Sequence, residues 1–430
     1  MKKKLLATLS ITTALCSVAA FAGDARGASA ATGGRQATAA AEPRPEAGAH
    51  LVMWDDPQYQ PGFEAVIKDF QAKYHVPVKF VPLLSAGQQS AKLAVAGPAG
   101  KAADVVTTPS SELGTNVSAG LVLPNDVFTS STKDEWPAAA TQEVTYNGLL
   151  YGYPLSVGLD ALYYNKKLVK TPPKTWNDVI AFAKTFNDIK AKKFALVFEP
   201  ANAWADYGFL SGYGGYVFGG SVTSPNINDV GLNNSAAVQG AKFFQSLKSS
   251  VLPLKSGDAT YQLATSLFEK GQAAMNIDGP WSLPYFKAVK GLDYGVAPLP
   301  MLPNGQPMRP FETELAMFVN AYSKYPIASR LFAHFATSTP ELTKLYQTIG
   351  MVTPAKGFEN SAAVQGDAAT RTFLQEYRNS VAVPNVPAMT QVWGPFFTVM
   401  PAIWDSGKDP QALLNNAVTQ IKSGIAKAKK

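Results

Sequence analysis

The chain has 430 residues, 46% apolar and 16% charged, a size and balance that suit two folded domains better than one small core. Its formal charge of +7 draws on Lys2, Lys3 and Lys4 at one end and on Lys422, Lys427, Lys429 and Lys430 at the other. Acids and bases are interspersed elsewhere, so no basic stripe marks a nucleic-acid binder.

In chain order, Lys2–Lys4, the apolar run Leu5–Leu15 and the Ala20-Phe21-Ala22 site form a secretory signal over residues 1–22. The run is too short to span a bilayer. The predicted location is therefore extracytoplasmic, in the periplasm or at the cell surface, with cleavage after Ala22. Lipid anchoring at Cys16 is the alternative, although Leu15 stands where a small residue is expected. Cys16 is the only cysteine, so cleavage leaves no thiol or disulfide. Residues 23–49, rich in Ala, Gly and Pro, have no large apolar side chain and are expected to be a disordered linker.

Folded sequence is expected from Leu51. "LVMW" reads as a buried strand, and "GFEAVIKDFQAKY" as a helix with Phe63, Val66, Ile67 and Phe70 on one face. "VPVKFVPL" and "ADVVTTP" read as two more strands, giving a β-α-β opening and an α/β sheet. "WNDVIAFAKTFND", "AAVQGAKFFQSLKS" and "ATSLFEKGQAAM" read as helices, and "LAMFV" as a later strand. The last segment, "PQALLNNAVTQIKSGIAKAKK", carries Leu413, Leu414, Val418, Ile421 and Ile425 on one helical face.

Catalytic signatures are sparse. His50, His75 and His334 are the only histidines, none in an H-E-x-x-H or H-x-x-x-H setting, which disfavours zinc and serine-triad chemistry. No G-x-x-x-x-G-K-[ST] loop occurs; "SGYGGYVFGG" interleaves its glycines with aromatics and suits packing better than a phosphate cradle. No cofactor and no metal is expected. Glu312 and Glu314, two apart on a predicted strand, would face one side about 7 Å apart, within the inverting-glycosidase range. A secreted glycoside hydrolase is the rival this pair supports. A second rival is a protein that binds an anion or a polyamine. The polyamine site would need several facing acids, and no such set stands out near the aromatics.

The tryptophans say more. Trp54, Trp204, Trp281 and Trp393 lie near predicted element ends or among turn residues, where α/β proteins gather their ligand sites. Flat aromatic faces with a few hydrogen-bonding groups suit sugar rings. In "MNIDGPWS" a strand stops at Asp278, and a Gly-Pro break presents Trp281 either as a ligand platform or as a plug between elements.

Several segments together resemble the maltose/maltodextrin-binding proteins, sugar receptors of ABC importers: "YNGLLYGYPLSVGLDALYYNKKLV", "PPKTWNDVIAFAK", "FEKGQAAMNIDGPW" and "VPNVPAMTQVW". The resemblance runs from about residue 51 to the end. It implies an α/β, two-lobed periplasmic-binding-protein fold, each lobe a mixed sheet flanked by helices, joined by a hinge. It places 51–157 plus 311–366 in one lobe and 158–310 plus 367–430 in the other. It implies a chain that binds an oligosaccharide without breaking it, works as a monomer and docks on permease subunits at the membrane. By position it makes Trp281 and Trp393 stacking residues, with Trp204 and Tyr261 beside them. Asn202, Ser111, Glu112 and Asp56, the last in the polar loop after the first strand, fall on its polar positions, and Trp54, just before that loop, is a further candidate contact. Ser111 and Glu112 replace an Asp-Arg pair, Thr108 stands in place of a tryptophan, and Gly158 in place of a glutamate that Asp160 could substitute. The stacking side is retained and the polar side is rewritten.

Overall fold

Two β-sheets, linked by chain crossings, organise the residues described by this computed structural model: 42–83, 86–222 and 224–428. The signal, Cys16 and the linker up to residue 41 lie outside them. In the first sheet β1 (Leu51–Asp55) pairs in parallel with β2 (Val78–Pro82) and with β3 (Val105–Pro109). β4 (Tyr153–Leu159) and β9 (Phe311–Val319) complete it, β9 running antiparallel to both β3 and β4. The short β10 (Val381–Ala382) pairs with β9, so this stretch, expected in the second lobe, extends the first sheet. The second sheet has the order β8 (Tyr294–Ala297), β5 (Ala161–Asn165), β7 (Ala273–Asp278), β6 (Phe194–Val197). It is mixed: β7 runs parallel to β6 and antiparallel to β5.

The chain passes from one sheet to the other with only Asp160 between β4 and β5. It returns through residues 298–310, and residues 383–389 make a third crossing.

Local sequence accounts for the elements. In α1 (Gln60–Tyr74) the spacing of Phe63, Val66, Ile67 and Phe70 forms one buried face, as expected. α2 (Trp176–Phe186) begins at a capping box, in which Thr175 accepts from the Asp178 amide and Asp178 from the Thr175 amide. α3 (Ala203–Ser211) and α4 (Ser235–Ser250) pack on each other and on α6 (Thr390–Ser406). "ATSLFEKGQAAM", expected as one helix, divides: α5 (Tyr261–Glu269) ends before Gly271, whose φ of 66° breaks the helix, and the remainder enters β7. In α7 (Pro410–Ala428), Leu414, Val418, Ile421 and Ile425 are buried.

The chain also packs earlier than expected. Glu46, within the predicted linker, accepts from the amides of Ile327 and Ala328, capping the helix Pro326–Ala336. Among the described residues no helix is long and apolar enough to cross a membrane.

Candidate functional site

A cavity of about 450 Å³ opens between the two sheets. Pro109, Ser111, Thr313 and Leu315 line it from the first; Asn202, Trp204, Tyr261, Asp278, Trp281 and Trp393 line it from the second and its helices. The four aromatic residues come from 190 positions of sequence, and each is brought there by the start of a helix or by a turn.

Trp281 is placed by the end of β7. Asp278 closes the strand and accepts from the Gly279 amide at 2.8 Å and from Ser282 Oγ at 2.7 Å, which fixes the turn Pro280–Ser282. The indole folds back over Gly279 so closely that a Cβ there would meet its ring at 2.2 Å. Glycine is therefore required by the approach of the ring, not by an unusual φ. Tyr163 Oη donates to the Gly279 carbonyl at 2.8 Å from beneath. Trp204 lies in the first turn of α3, capped by Asn202, whose side chain accepts from the Ala205 amide. Its indole nitrogen donates to Thr313 Oγ1 at 3.3 Å, a bond between the lobes. The Trp204 and Trp281 rings lie 6.1 Å apart at 53°, an angled pair rather than a stack. Tyr261 opens α5 behind the Thr260 cap, and its hydroxyl shares a 3.1 Å bond with Ser282 Oγ. Trp393, in the first turn of α6, meets Phe311 edge-on at 6.0 Å. All four rings remain partly exposed to the cavity.

The other predicted positions divide. Ser111 and Asn202 line the cavity. Asp56 follows β1, but its carboxylate caps the next turn by accepting from the Gln58 amide at 3.0 Å, and it does not line the cavity. Glu112 is half-buried one residue past Ser111, off the lining, with its carboxyl raised by burial. Trp54 departs furthest. It lies inside β1 rather than at its end, only 4% exposed, packed with Val106, Leu113 and Phe318 under the Lys92 ammonium. Alternation along the strand turns it into the lobe's own core.

Beyond Trp281 the groove continues into a second cavity of about 290 Å³, lined by Gln58, Tyr59, Tyr285 and Met351 among others. Trp281 borders both cavities. Tyr285 Oη reaches Gln58 Oε1 at 3.4 Å across the lobes.

Glu312 and Glu314 do share one face of β9, as their spacing predicts. It is the face away from the aromatic cavity, which Thr313 and Leu315 line. There they meet Glu143, which accepts from Ser110 Oγ at 2.8 Å and from the Glu314 amide at 3.1 Å. Burial, then the charge of Glu143, raises the carboxyls of Glu312 and Glu314 well above the ordinary range.

Sequence reasoning picked out Asp160 only as a possible substitute for a family glutamate and missed the other acids of the cavity. Asp160, Glu199, Asp206 and Asp278 all line it, and among the described residues no Lys, Arg or His does. Burial, with Asp278 and Glu199 nearby, pushes the Asp160 carboxyl up to about 8. Burial, with Asp160 and Glu199, holds Asp206 well above its ordinary value. Asp278 rises only to about 6, because Ser282 and the Gly279 amide stabilise its charge against burial. Among the described residues no group of three or more His, Cys, Asp or Glu could hold a metal ion. A usable signal existed for two of them: Asp278 ends a strand just before Gly-Pro, and Glu199 lies two residues past the end of β6, just before a proline. Asp206 had none, since it lies inside a helix.

An aromatic-lined cleft between two mixed α/β lobes that are joined by chain crossings defines a receptor for a small solute. The chain belongs to the bacterial extracellular solute-binding proteins, whose family model matches residues 55–341. It is 31% identical to the galactooligosaccharide-binding protein of Bacillus subtilis over 88% of this chain and 90% of that one. It is also 31% identical to the maltodextrin-binding protein of the same organism, over 87% and 90%. Among solved structures, a cyclo/maltodextrin-binding protein complexed with maltotetraose superposes with a TM-score of 0.79 at 31% identity, covering 87% of this chain and 97% of that one. The maltose-binding periplasmic protein of Listeria monocytogenes, in complex with maltose, gives 0.79 at 28% identity, over 88% and 98%. The expected two-lobed fold and family are both found.

Proposed function

We propose that this protein is the receptor of an ABC sugar importer, capturing an oligosaccharide of the maltodextrin class between its lobes and delivering it to permease subunits. The observation that carries this reading is the convergence of Trp204, Tyr261, Trp281 and Trp393 on one interlobe cavity. A pyranose ring offers an apolar C–H face and a rim of hydroxyls. The indoles take the face, while Ser111, Asn202 and the acids take the rim. Aromatic seats with two side-chain torsions lose little entropy when a ligand settles on them. The continuation of the groove past Trp281 suits a chain of several rings rather than a single sugar.

The chain binds its sugar without cleaving it. The ligand's work is to favour the closed arrangement, through contacts to both lobes that exist only when they meet. Trp204 to Thr313 and Tyr285 to Gln58 are contacts of that kind already present in the protein itself. Export through residues 1–22, with release after Ala22, completes the reading, and so does a monomer that docks on its permease. Anchoring through Cys16 is the alternative that a lipoprotein relative of Streptococcus pneumoniae, 29% identical, keeps in view.

Calorimetric titration of the mature protein with maltotriose, a galactooligosaccharide, cellobiose and a xylo-oligosaccharide tests the assignment. Selective binding of maltotriose supports it, and binding confined to the galactooligosaccharide moves the ligand class. Prolonged incubation with maltoheptaose should yield no new reducing ends; their appearance would establish a hydrolase instead.

A further inference from the structure

We propose that the cleft selects an oligosaccharide bearing a basic amine, its ammonium seated among Asp160, Glu199 and Asp206 while its rings lie on Trp204 and Trp281. This inference rests on the sugar-receptor reading above. The first ground is composition: four carboxyl groups line one cavity, and among the described residues no basic side chain lines it with them. The second is the state of their bonds. Asp278 is fully engaged by Gly279, Ser282 and Asn276 and belongs to the turn that holds Trp281. Asp160 and Asp206 are different. They are 4% and 1% exposed, and each has an Oδ2 with no hydrogen-bond partner among the described residues.

The third ground is the kind of atom left over. Buried Asn276 adds an unpartnered Oδ1 to the same lining. The orphaned atoms of this cavity are therefore oxygens, two on carboxyls and one on an amide. A hydroxyl brings one donor and two acceptors, so it meets such a set only in part. An ammonium brings three donors and a positive charge, which suit these acids in their ionised form, whose oxygens only accept. The aromatic faces beside the acids attract a cation as well as a sugar face. Without a cation, burial, with Asp278 and Glu199 nearby, pushes Asp160 up to about 8 and so keeps it protonated near neutrality, while burial, with Asp160 and Glu199, holds Asp206 well above its ordinary value. Seating an ammonium beside them would drive a proton off, which gives the inference a thermodynamic signature separate from affinity.

The test is calorimetry on the mature protein at pH 6, in two buffers of different ionisation enthalpy. The probes are maltotriose and three maltotrioses in which one ring's 6-hydroxyl is replaced by an amine. Linkage and ring count stay constant, and only the position of one charge changes. At least one amine should bind about tenfold tighter than maltotriose and release a proton that maltotriose does not. The preference should fall to near unity in Asp206→Asn, and Glu199→Gln serves if that variant does not fold. If maltotriose binds and no amine binds more tightly, the amine inference is overturned and the sugar receptor stands. If none of the four binds, both fall. A preference that survives unchanged in a folded variant also overturns the seat assigned here.

Discussion

Truncating Trp281 to alanine separates the platform from the plug. The indole covers Gly279, faces Trp204 at 6.1 Å and borders both cavities of the groove. A pyranose seated on its free face removes about 80 Å² of apolar surface from water, which at about 25 cal/mol/Å² is about 2 kcal/mol, or roughly thirtyfold in Kd. The empty protein loses less, because the ring is only partly buried there. A cost of about 1 kcal/mol corresponds to a fall of roughly 1 °C in Tm, at about 2.1 cal/mol/K of unfolding entropy per residue. Titration calorimetry with the best-bound sugar gives the first number, and thermal unfolding without ligand gives the second. A Kd within about twofold of wild type, together with a fall of roughly 5 °C, would show that Trp281 holds elements together and seats no sugar.

Other outcomes follow from the same geometry. Gly279→Ala puts a Cβ into the Trp281 ring, so it should weaken sugar binding roughly as much as Trp281→Ala while removing no atom from the site, with a shift in tryptophan emission reporting the displaced ring. Gly158→Ala should be tolerated, because its Cβ would meet that ring at an ordinary 3.5 Å. Glu312 and Glu314 have carboxyls raised on folding, so the folded state binds more protons than the unfolded one above the ordinary carboxylate pKa of 4.5. Their stabilising effect is complete below that value and is lost as pH rises, so Tm should be higher at pH 5 than at pH 8, and Glu312→Gln with Glu314→Gln should flatten the difference. Deleting residues 43–49 removes the Glu46 cap on Pro326–Ala336 and should cost about 1 kcal/mol, read as a lower urea midpoint with an unchanged slope.

Local pattern made much of this protein legible. The face of α1, the strand at Leu51, the terminal helix and the turn at Gly279-Pro280 follow from side-chain periodicity and from what glycine and proline permit, which depend on near neighbours alone. Period-two spacing also determined that Glu312 and Glu314 share a face. Only the tertiary structure decided which face, because a strand's two sides are equivalent until other elements cover them, and here the lobes put Thr313 and Leu315 on the sugar side. Trp54 and Trp281 look alike as indoles at strand ends. One extra strand residue, Asp55, leaves the first inside its own lobe's core, whereas the turn after Asp278 delivers the second to the cleft. The acids were hidden for the same reason. Asp160, Glu199, Asp206 and Asp278 lie 39, 7 and 72 residues apart in turn, and their mutual repulsion exists only once the crossing between the sheets brings them to one cavity.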